Sequence, residues 1–147
     1  MSAKARNDFE TGSRRILVVE DDRSLAVLIT YMLSREGYEV SSIGDGSAAL
    51  AAIRKLRPSL IVLDLGLPGL SGDEICRAVR SDPELAETFV LVLTALEDQE
   101  ARRRVRSAGA DCYMCKPFDP DRVVSLVEDV FASGRLQRGA ATSAQLP

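Results

Sequence analysis

The chain has 147 residues, which allows one domain with a real hydrophobic core, and its 46% hydrophobic content is ordinary for a globular protein. A formal net charge of -3 gives no sign of a nucleic-acid surface. No apolar run approaches the roughly 20 residues of a membrane span, and the N-terminus lacks the apolar segment of a secretory signal. These features predict a cytoplasmic protein that binds neither nucleic acid nor membrane directly.

Strand-like and helix-like segments alternate along the chain. Short apolar runs predict strands over residues 16–19, 38–43, 60–63, 89–93 and 111–115. Helical spacing of apolar residues predicts a helix after each strand, over residues 23–36, 47–56, 73–81, 98–108 and 119–131. In the first helix the apolar stripe is Leu25, Leu28 and Met32, with Ile29 and Leu33 beside it. Repeated strand–helix units predict an α/β fold with a parallel sheet and helices on both faces.

The two ends of the chain differ in composition from its middle. Residues 1–13 and 135–147 are small or polar and lack periodicity, so we expect flexible tails around one folded unit at residues 14–134. The C-terminal tail has too few residues to fold, so we expect the folded unit to act alone, without an output domain.

Cys76, Cys112 and Cys115 form an odd set. Cys112 and Cys115 have the spacing of a redox or metal pair, but in a strand this odd offset sends their side chains to opposite faces. The sequence has no histidine and no second cysteine pair to complete a zinc site. We interpret the cysteines as structural.

A basic run of Arg102, Arg103, Arg104 and Arg106 lies in the fourth predicted helix. One interpretation is a nucleic-acid surface. We favour a solvated helix face, whose cations complement the negative C-terminal end of the helix dipole.

Polar residues follow four of the predicted strands. They are Glu20 and Asp21, then Asp64, then Thr94, and finally Lys116. Because open α/β sheets bind their ligands at the carboxyl edge of the strands, we expect these side chains to converge there. The next acid after the first pair, Asp22, is expected to cap the first helix.

Carboxylates crowded at one edge repel each other unless a cation joins them. A few hard oxygen ligands suit Mg²⁺, or Mn²⁺ in its place, and Mg²⁺ often bridges to a phosphate. Lys116 adds a point charge, and Thr94 can donate a hydrogen bond to a phosphoryl oxygen. A carboxylate can itself accept a phosphoryl group, so one of the acids is a candidate nucleophile.

Four segments carry a resemblance to a known family. They run from Ile16 to Asp22, from Leu63 to Gly72, from Leu93 to Ala95 and from Gly109 to Phe118. Together they resemble the receiver domain of bacterial two-component response regulators, in its single-domain, CheY-like form. The likeness covers roughly residues 14–132. It implies a flavodoxin-like, doubly wound (βα)5 fold with five parallel strands.

The resemblance implies a phosphoacceptor and a metal site. Asp64 would accept a phosphoryl group from a phosphohistidine of a sensor histidine kinase or histidine phosphotransferase. Asp21 would bind Mg²⁺ directly, Glu20 would act through water, and the backbone carbonyl of Gly66 would complete the protein ligands. The domain would be a signalling phosphoacceptor and not an enzyme with a separate substrate.

The resemblance also implies a switch. Thr94, the Ala95 amide and Lys116 would hold the phosphoryl oxygens, and the bond from Lys116 to Pro117 would be cis. When Thr94 moves toward the phosphoryl group, Tyr113 would turn inward and alter the surface near the last strand. The alternative for Tyr113 is an edge aromatic with its hydroxyl group in water.

A docking surface for the kinase or phosphotransferase is expected at Leu25 and Leu28 of the first helix and at Pro117 and Phe118. A downstream protein effector would recognise the switched surface. Phosphorylation-dependent formation of a homodimer is a further possibility.

Two residues depart from many members of the family. Gly66 has no side chain where relatives carry a larger one, which would open the mouth of the site. Leu96, two residues after Thr94, is apolar and would limit water. We expect these effects to oppose each other and give an intermediate phosphoryl lifetime.

Alternative functions remain open. The chain is either a stand-alone receiver or one cut from a DNA-binding regulator or hybrid kinase, and a non-phosphorylated binding module is a further alternative. A flavin carrier is disfavoured because the loop after the first strand is acidic. An aspartyl phosphatase is disfavoured because Gly66 replaces the second acid of such enzymes.

Overall fold

The computed structural model describes residues 14–95 and 99–133, in which strands and helices alternate as the sequence predicts. The strands are β1 (Arg15–Val19), β2 (Glu39–Ile43), β3 (Leu60–Asp64), β4 (Phe89–Thr94) and β5 (Cys112–Cys115). The helices are α1 (Arg23–Arg35), α2 (Gly46–Leu56), α3 (Gly72–Ser81), α4 (Gln99–Ala108) and α5 (Pro120–Ser133). The bounds differ from the predicted ones by one or two residues. The predicted tails lie outside the described residues.

The strands form one parallel sheet in the order β2-β1-β3-β4-β5. The chain moves from β1 outward to β2 and then returns to the other side of β1, so the strand order reverses between β1 and β3. Such a switch point leaves a crevice at the carboxyl ends of the strands. The doubly wound α/β fold predicted from the sequence is confirmed.

Two apolar cores lie on opposite faces of the sheet. One core packs α1 and α5 against the sheet, and the other packs α2, α3 and α4. Strands β3 and β4 are buried along their whole length, as expected for central strands of a parallel sheet. No helix among the described residues is long and apolar enough to cross a membrane.

The buried stripe of α1 differs from the predicted one. Ala26, Ile29 and Leu33 face the sheet, so the prediction holds for Ile29 and Leu33. Leu28 is 40% exposed and does not face the sheet, so it lies on the surface, where the sequence analysis also expects a docking residue. Ala26 takes the inner position of the first turn instead, although alanine contributes little to an apolar pattern.

The cysteines occupy the places expected of structural residues. Cys112 lies in the core beneath α1 and α5, Cys115 packs against the opposite core, and no disulfide joins any of these three cysteines, all of which lie in the described part of the chain. Burial raises the pKa of Cys112 to about 12 and that of Cys76 to about 11, so both thiols stay protonated near neutral pH.

A buried ion pair joins α3 to the strands beyond it. The Arg80 guanidinium contacts the Asp111 carboxylate, and their side chains are 8% and 0% exposed. Arg80 also donates hydrogen bonds to the carbonyls of Gly109 (2.7 Å) and Thr88 (2.7 Å). The Asp111 carboxylate accepts one from the Val90 amide at 2.9 Å. This network ties the end of α3 to β4 and to the turn before β5.

Candidate phosphorylation and metal site

The polar residues predicted to converge lie at the carboxyl edge of the sheet. Asp64 is the last residue of β3, Thr94 is the last residue of β4, and Glu20 directly follows β1. The register pairs Val19 of β1 with Leu63 of β3, which brings Glu20 alongside Asp64. The sheet thus fixes the spacing of these side chains through its backbone.

Three carboxylates form a compact group at this edge. One oxygen from each of Glu20, Asp21 and Asp64 lies within 4.8 Å of the others. Glu20 and Asp64 are buried and Asp21 is exposed. Carboxylates this close repel each other unless a cation joins them, and an all-oxygen set with one exposed member fits Mg²⁺ better than a softer metal.

Lys116 bridges two of these acids. Its Nζ lies 2.9 Å from Glu20 Oε1 and 3.5 Å from Asp64 Oδ2. Burial alone would lower the pKa of Lys116, but its contact with Glu20 and the charge of Asp64 outweigh burial and raise that pKa. The ammonium group is therefore held in its charged form at the centre of the site.

Opposing effects act on the pKa of the Glu20 carboxyl group. Burial raises the pKa of its carboxyl group, while a hydrogen bond from the Asp22 amide (3.0 Å) and the contact with Lys116 lower it. The net shift is upward. Asp22 itself caps α1, as predicted, because its side chain accepts a hydrogen bond from the Leu25 amide.

The segment behind Asp64 is packed against it. A Cβ at Gly72, the first residue of α3, would lie 2.4 Å from the Asp64 carbonyl oxygen, so only glycine fits there. Ser71 and Glu74 form a capping box at this end of α3. The Gly66 amide donates a hydrogen bond to Asp64 Oδ1 at 3.2 Å. These contacts hold the Asp64 side chain at the strand end.

An open cavity of about 450 Å³ lies in front of Asp64. Its walls are Asp64, Leu65, Gly66, Thr94, Ala95, Arg104 and Lys116. A Cβ at Gly66 would meet no atom within 4 Å, which agrees with the open mouth expected from the sequence. Leu96, the other residue expected to influence this mouth, lies outside the described residues.

Thr94 and Tyr113 are both buried. Thr94 is 2% exposed and Tyr113 is 5% exposed, with its ring in the core shared by α2, α3 and α4. The alternative of an edge aromatic with its hydroxyl group in water is therefore wrong for this conformation. The bond between Lys116 and Pro117 is cis, as the resemblance implied.

Arg104 is the residue of the site that sequence reasoning missed. Its guanidinium Nη2 lies 3.2 Å from Asp73 Oδ1, at the start of α3, and its side chain lines the cavity. The interpretation of the basic run as a solvated face holds for Arg103, Arg104 and Arg106, which are all exposed. Arg104 in addition contacts Asp73 of α3. Only the adjacency of α3 and α4 on one face of the sheet reveals this role.

The predicted docking residues lie partly on the surface. Leu28 and Pro117 are exposed, whereas Leu25 and Phe118 are half-buried and pack against the core beneath α1 and α5. Two further apolar residues of α1, Val27 (67% exposed) and Tyr31 (58%), extend the exposed patch beside Leu28. The sequence analysis did not single out either of them.

The five-stranded parallel sheet defines a doubly wound α/β domain with three acids and a lysine at its carboxyl edge. The model of the response regulator receiver domain matches residues 16–128 of the chain. The chain belongs to this family of two-component signalling domains.

Curated relatives include longer response regulators. The DNA-binding response regulator MtrA of Mycolicibacterium smegmatis is 42% identical over 94% of this chain and 57% of its own length. The phosphate regulon regulatory protein PhoB of Rhizobium meliloti is 40% identical over 78% of this chain and 50% of its own length. The chain thus spans about half the length of these relatives.

Solved structures agree with the fold. The chemotaxis protein CheY4 of Vibrio cholerae is 30% identical, with a TM-score of 0.75, and the match covers 81% of this chain and 99% of that one. The Francisella response regulator 1452 receiver domain is 27% identical, with a TM-score of 0.76 over 83% of this chain and 99% of that one.

Proposed function

We propose that Asp64 is the phosphoacceptor of this receiver domain. The observation that carries the proposal is the contact of Lys116 with both Glu20 and Asp64 inside a group of three carboxylates. In the transfer step an Asp64 carboxylate oxygen attacks the phosphorus atom of a phosphohistidine. A P–O bond forms, the P–N bond breaks, and its electron pair stays on the imidazole nitrogen.

The residues around Asp64 fit a divalent cation and a phosphoryl group. Asp21, Asp64 and the Gly66 backbone carbonyl would bind Mg²⁺ or Mn²⁺, with Glu20 acting through water. The metal would neutralise the charge that develops during phosphoryl transfer. Lys116, Thr94 and the Ala95 amide would hold the phosphoryl oxygens.

The same residues supply a switch. Thr94 lies at the end of β4, and the phosphoryl group would draw its hydroxyl group toward the cavity. Tyr113 occupies a buried position next to β4 in the register, opposite Val92, so movement of Thr94 would be transmitted to the surface around β5.

The proposed phosphodonor is a sensor histidine kinase or a histidine phosphotransferase in the cytoplasm. Its docking surface would be formed by Leu25 and Leu28 of α1 with Pro117 and Phe118, and Val27 and Tyr31 enlarge that surface. The output is binding of a protein effector or a second copy of the chain. The name of the relative MtrA includes DNA binding. The proposal for this chain concerns the receiver domain alone.

The test is incubation of the full chain with acetyl phosphate and Mg²⁺, followed by intact mass. Wild type should gain one phosphoryl group, and chelation of the metal with EDTA should prevent the gain. Asp64→Asn should gain none, whereas Asp129→Asn, which changes an exposed acid of α5, should behave as wild type. An unmodified wild type would favour a binding module that acts without phosphorylation.

A further inference from the structure

The cavity in front of Asp64 is lined by two cations, and only Lys116 has a place in the function proposed above. The second is Arg104 of α4. Its side chain is 43% exposed, and its guanidinium group lies against the carboxylate of Asp73. The planar guanidinium group of arginine can donate two parallel hydrogen bonds to phosphoryl oxygens. Its position at the mouth of an anion site therefore suggests that Arg104 binds the phosphoryl group.

Asp73 does not depend on Arg104 for its partners. Ser71 Oγ donates a hydrogen bond to Asp73 Oδ1 at 2.8 Å, and Arg77 Nη2 lies 3.4 Å from Asp73 Oδ2. If Arg104 moves away, the carboxylate therefore keeps one hydrogen bond and one cation. The Arg104 side chain is 43% exposed, whereas the Asp73 side chain is only 11% exposed. Because its guanidinium group remains open to solvent, Arg104 can exchange this carboxylate for another anion at the cavity.

Phosphorylation changes the charge balance beside Arg104. Before transfer, a divalent cation and Lys116 together match the charges of Glu20, Asp21 and Asp64. The phosphoryl group replaces the single charge of Asp64 with about two negative charges, so the site then carries an excess negative charge. Arg104 is the cation on the same cavity wall that can neutralise this excess.

We propose that Arg104 is a second phosphoryl-binding cation. When Asp64 is phosphorylated, the Arg104 guanidinium moves away from the Asp73 carboxylate and binds the outer phosphoryl oxygens. Gly66 leaves space in front of Asp64, so no side chain stands at that position between the guanidinium and the phosphoryl group. This exchange would also break the ion pair between Arg104 of α4 and Asp73 of α3. Helix α4 could then shift relative to α3 on phosphorylation. This inference rests on the proposed function of Asp64.

The test measures the affinity of the full chain for beryllofluoride, an anion that mimics a phosphoryl group on a carboxylate, by ¹⁹F NMR in the presence of Mg²⁺. Arg104→Ala should weaken binding about tenfold, as expected for the loss of a charge-assisted hydrogen bond. It should also shift the ¹⁹F signals of the bound anion. Arg104→Lys should fall in between, since it keeps the charge without the fork.

The matched control is Arg103→Ala, which removes an exposed arginine of the same helix that does not line the cavity. It should bind beryllofluoride within about twofold of wild type, as an exposed charge outside the site contributes little.

Asp73→Asn removes the carboxylate that holds Arg104 before phosphorylation. It therefore distinguishes the proposed exchange from a contact that only stabilises the packing of α3 against α4. Releasing Arg104 should tighten beryllofluoride binding, and this gain should disappear in the double variant with Arg104→Ala. If Arg104 only tied α3 to α4, both single variants would change the affinity in the same direction.

Two outcomes overturn the inference alone. In the first, Arg104→Ala binds the anion as tightly as Arg103→Ala. In the second, Asp73→Asn and Arg104→Ala both weaken it. A wild type that neither binds beryllofluoride nor takes up a phosphoryl group would instead overturn the proposed function, and the inference with it.

Discussion

Gly66 leaves the cavity open in front of the phosphoacceptor. A Cβ at this position would meet no atom within 4 Å. A longer side chain can therefore be added without disturbing the backbone. It would extend into the mouth of the cavity and exclude water from Asp64.

Gly66→Met should slow the loss of the phosphoryl group roughly threefold, because water reaches the phosphorus atom less often. The measurement is the first-order decay of the phosphorylated chain after removal of acetyl phosphate, followed by intact mass. Leu96→Ala should speed the decay. Unchanged decay in both variants would contradict the account of the cavity mouth.

Asp73 also has a measurable pH signature. Burial raises the pKa of its carboxyl group, but the Ser71 hydroxyl group and the charge of Arg104 outweigh burial, and the pKa lies below the ordinary value of 3.8. A depressed folded-state pKa contributes stability above the unfolded-state pKa, and this contribution is lost as the pH falls through the folded-state pKa.

Asp73→Asn should therefore lower the free energy of unfolding by about 1 kcal/mol at neutral pH, and the difference from wild type should shrink below about pH 4. Urea unfolding of both proteins between pH 3 and 7 measures this. A difference that stays constant across the acid range would show that the carboxylate charge does not stabilise the fold.

At the scale of secondary structure elements, the pair Arg80–Asp111 connects α3 with β4 and the turn before β5. Both side chains are almost wholly buried, and the guanidinium also donates to backbone carbonyls. Removal of one partner leaves a buried charge without its counterion, which costs far more than loss of a surface pair.

Asp111→Ala should lower the free energy of unfolding by about 3–5 kcal/mol. The control is Arg77→Ala on the same helix, which removes an exposed partner of Asp73 and should cost below about 1 kcal/mol. Urea unfolding at neutral pH compares the two. Equal losses in the free energy of unfolding would mean that the buried Arg80–Asp111 pair stabilises the fold no more than an exposed ion pair does.

At the scale of the whole molecule, the sequence predicts the fold and most of the site. The strand ends at Asp64 and Thr94 are visible because a polar residue interrupts an apolar run, and the parallel topology then brings them together. The inward position of Ala26 and the contact of Arg104 with Asp73 could not be predicted. The face of α1 that meets the sheet depends on Ala26, and the contact of Arg104 with Asp73 depends on the packing of two helices distant in sequence.

The most direct test of the central claim locates the phosphoryl group on a residue. The chain is phosphorylated with acetyl phosphate and Mg²⁺ and reduced with borohydride, which converts an aspartyl phosphate to homoserine. Peptide mass spectrometry then locates the product. The account predicts homoserine at position 64. Reduction at position 21, or a phosphorylated chain with Asp64 unmodified, would contradict it.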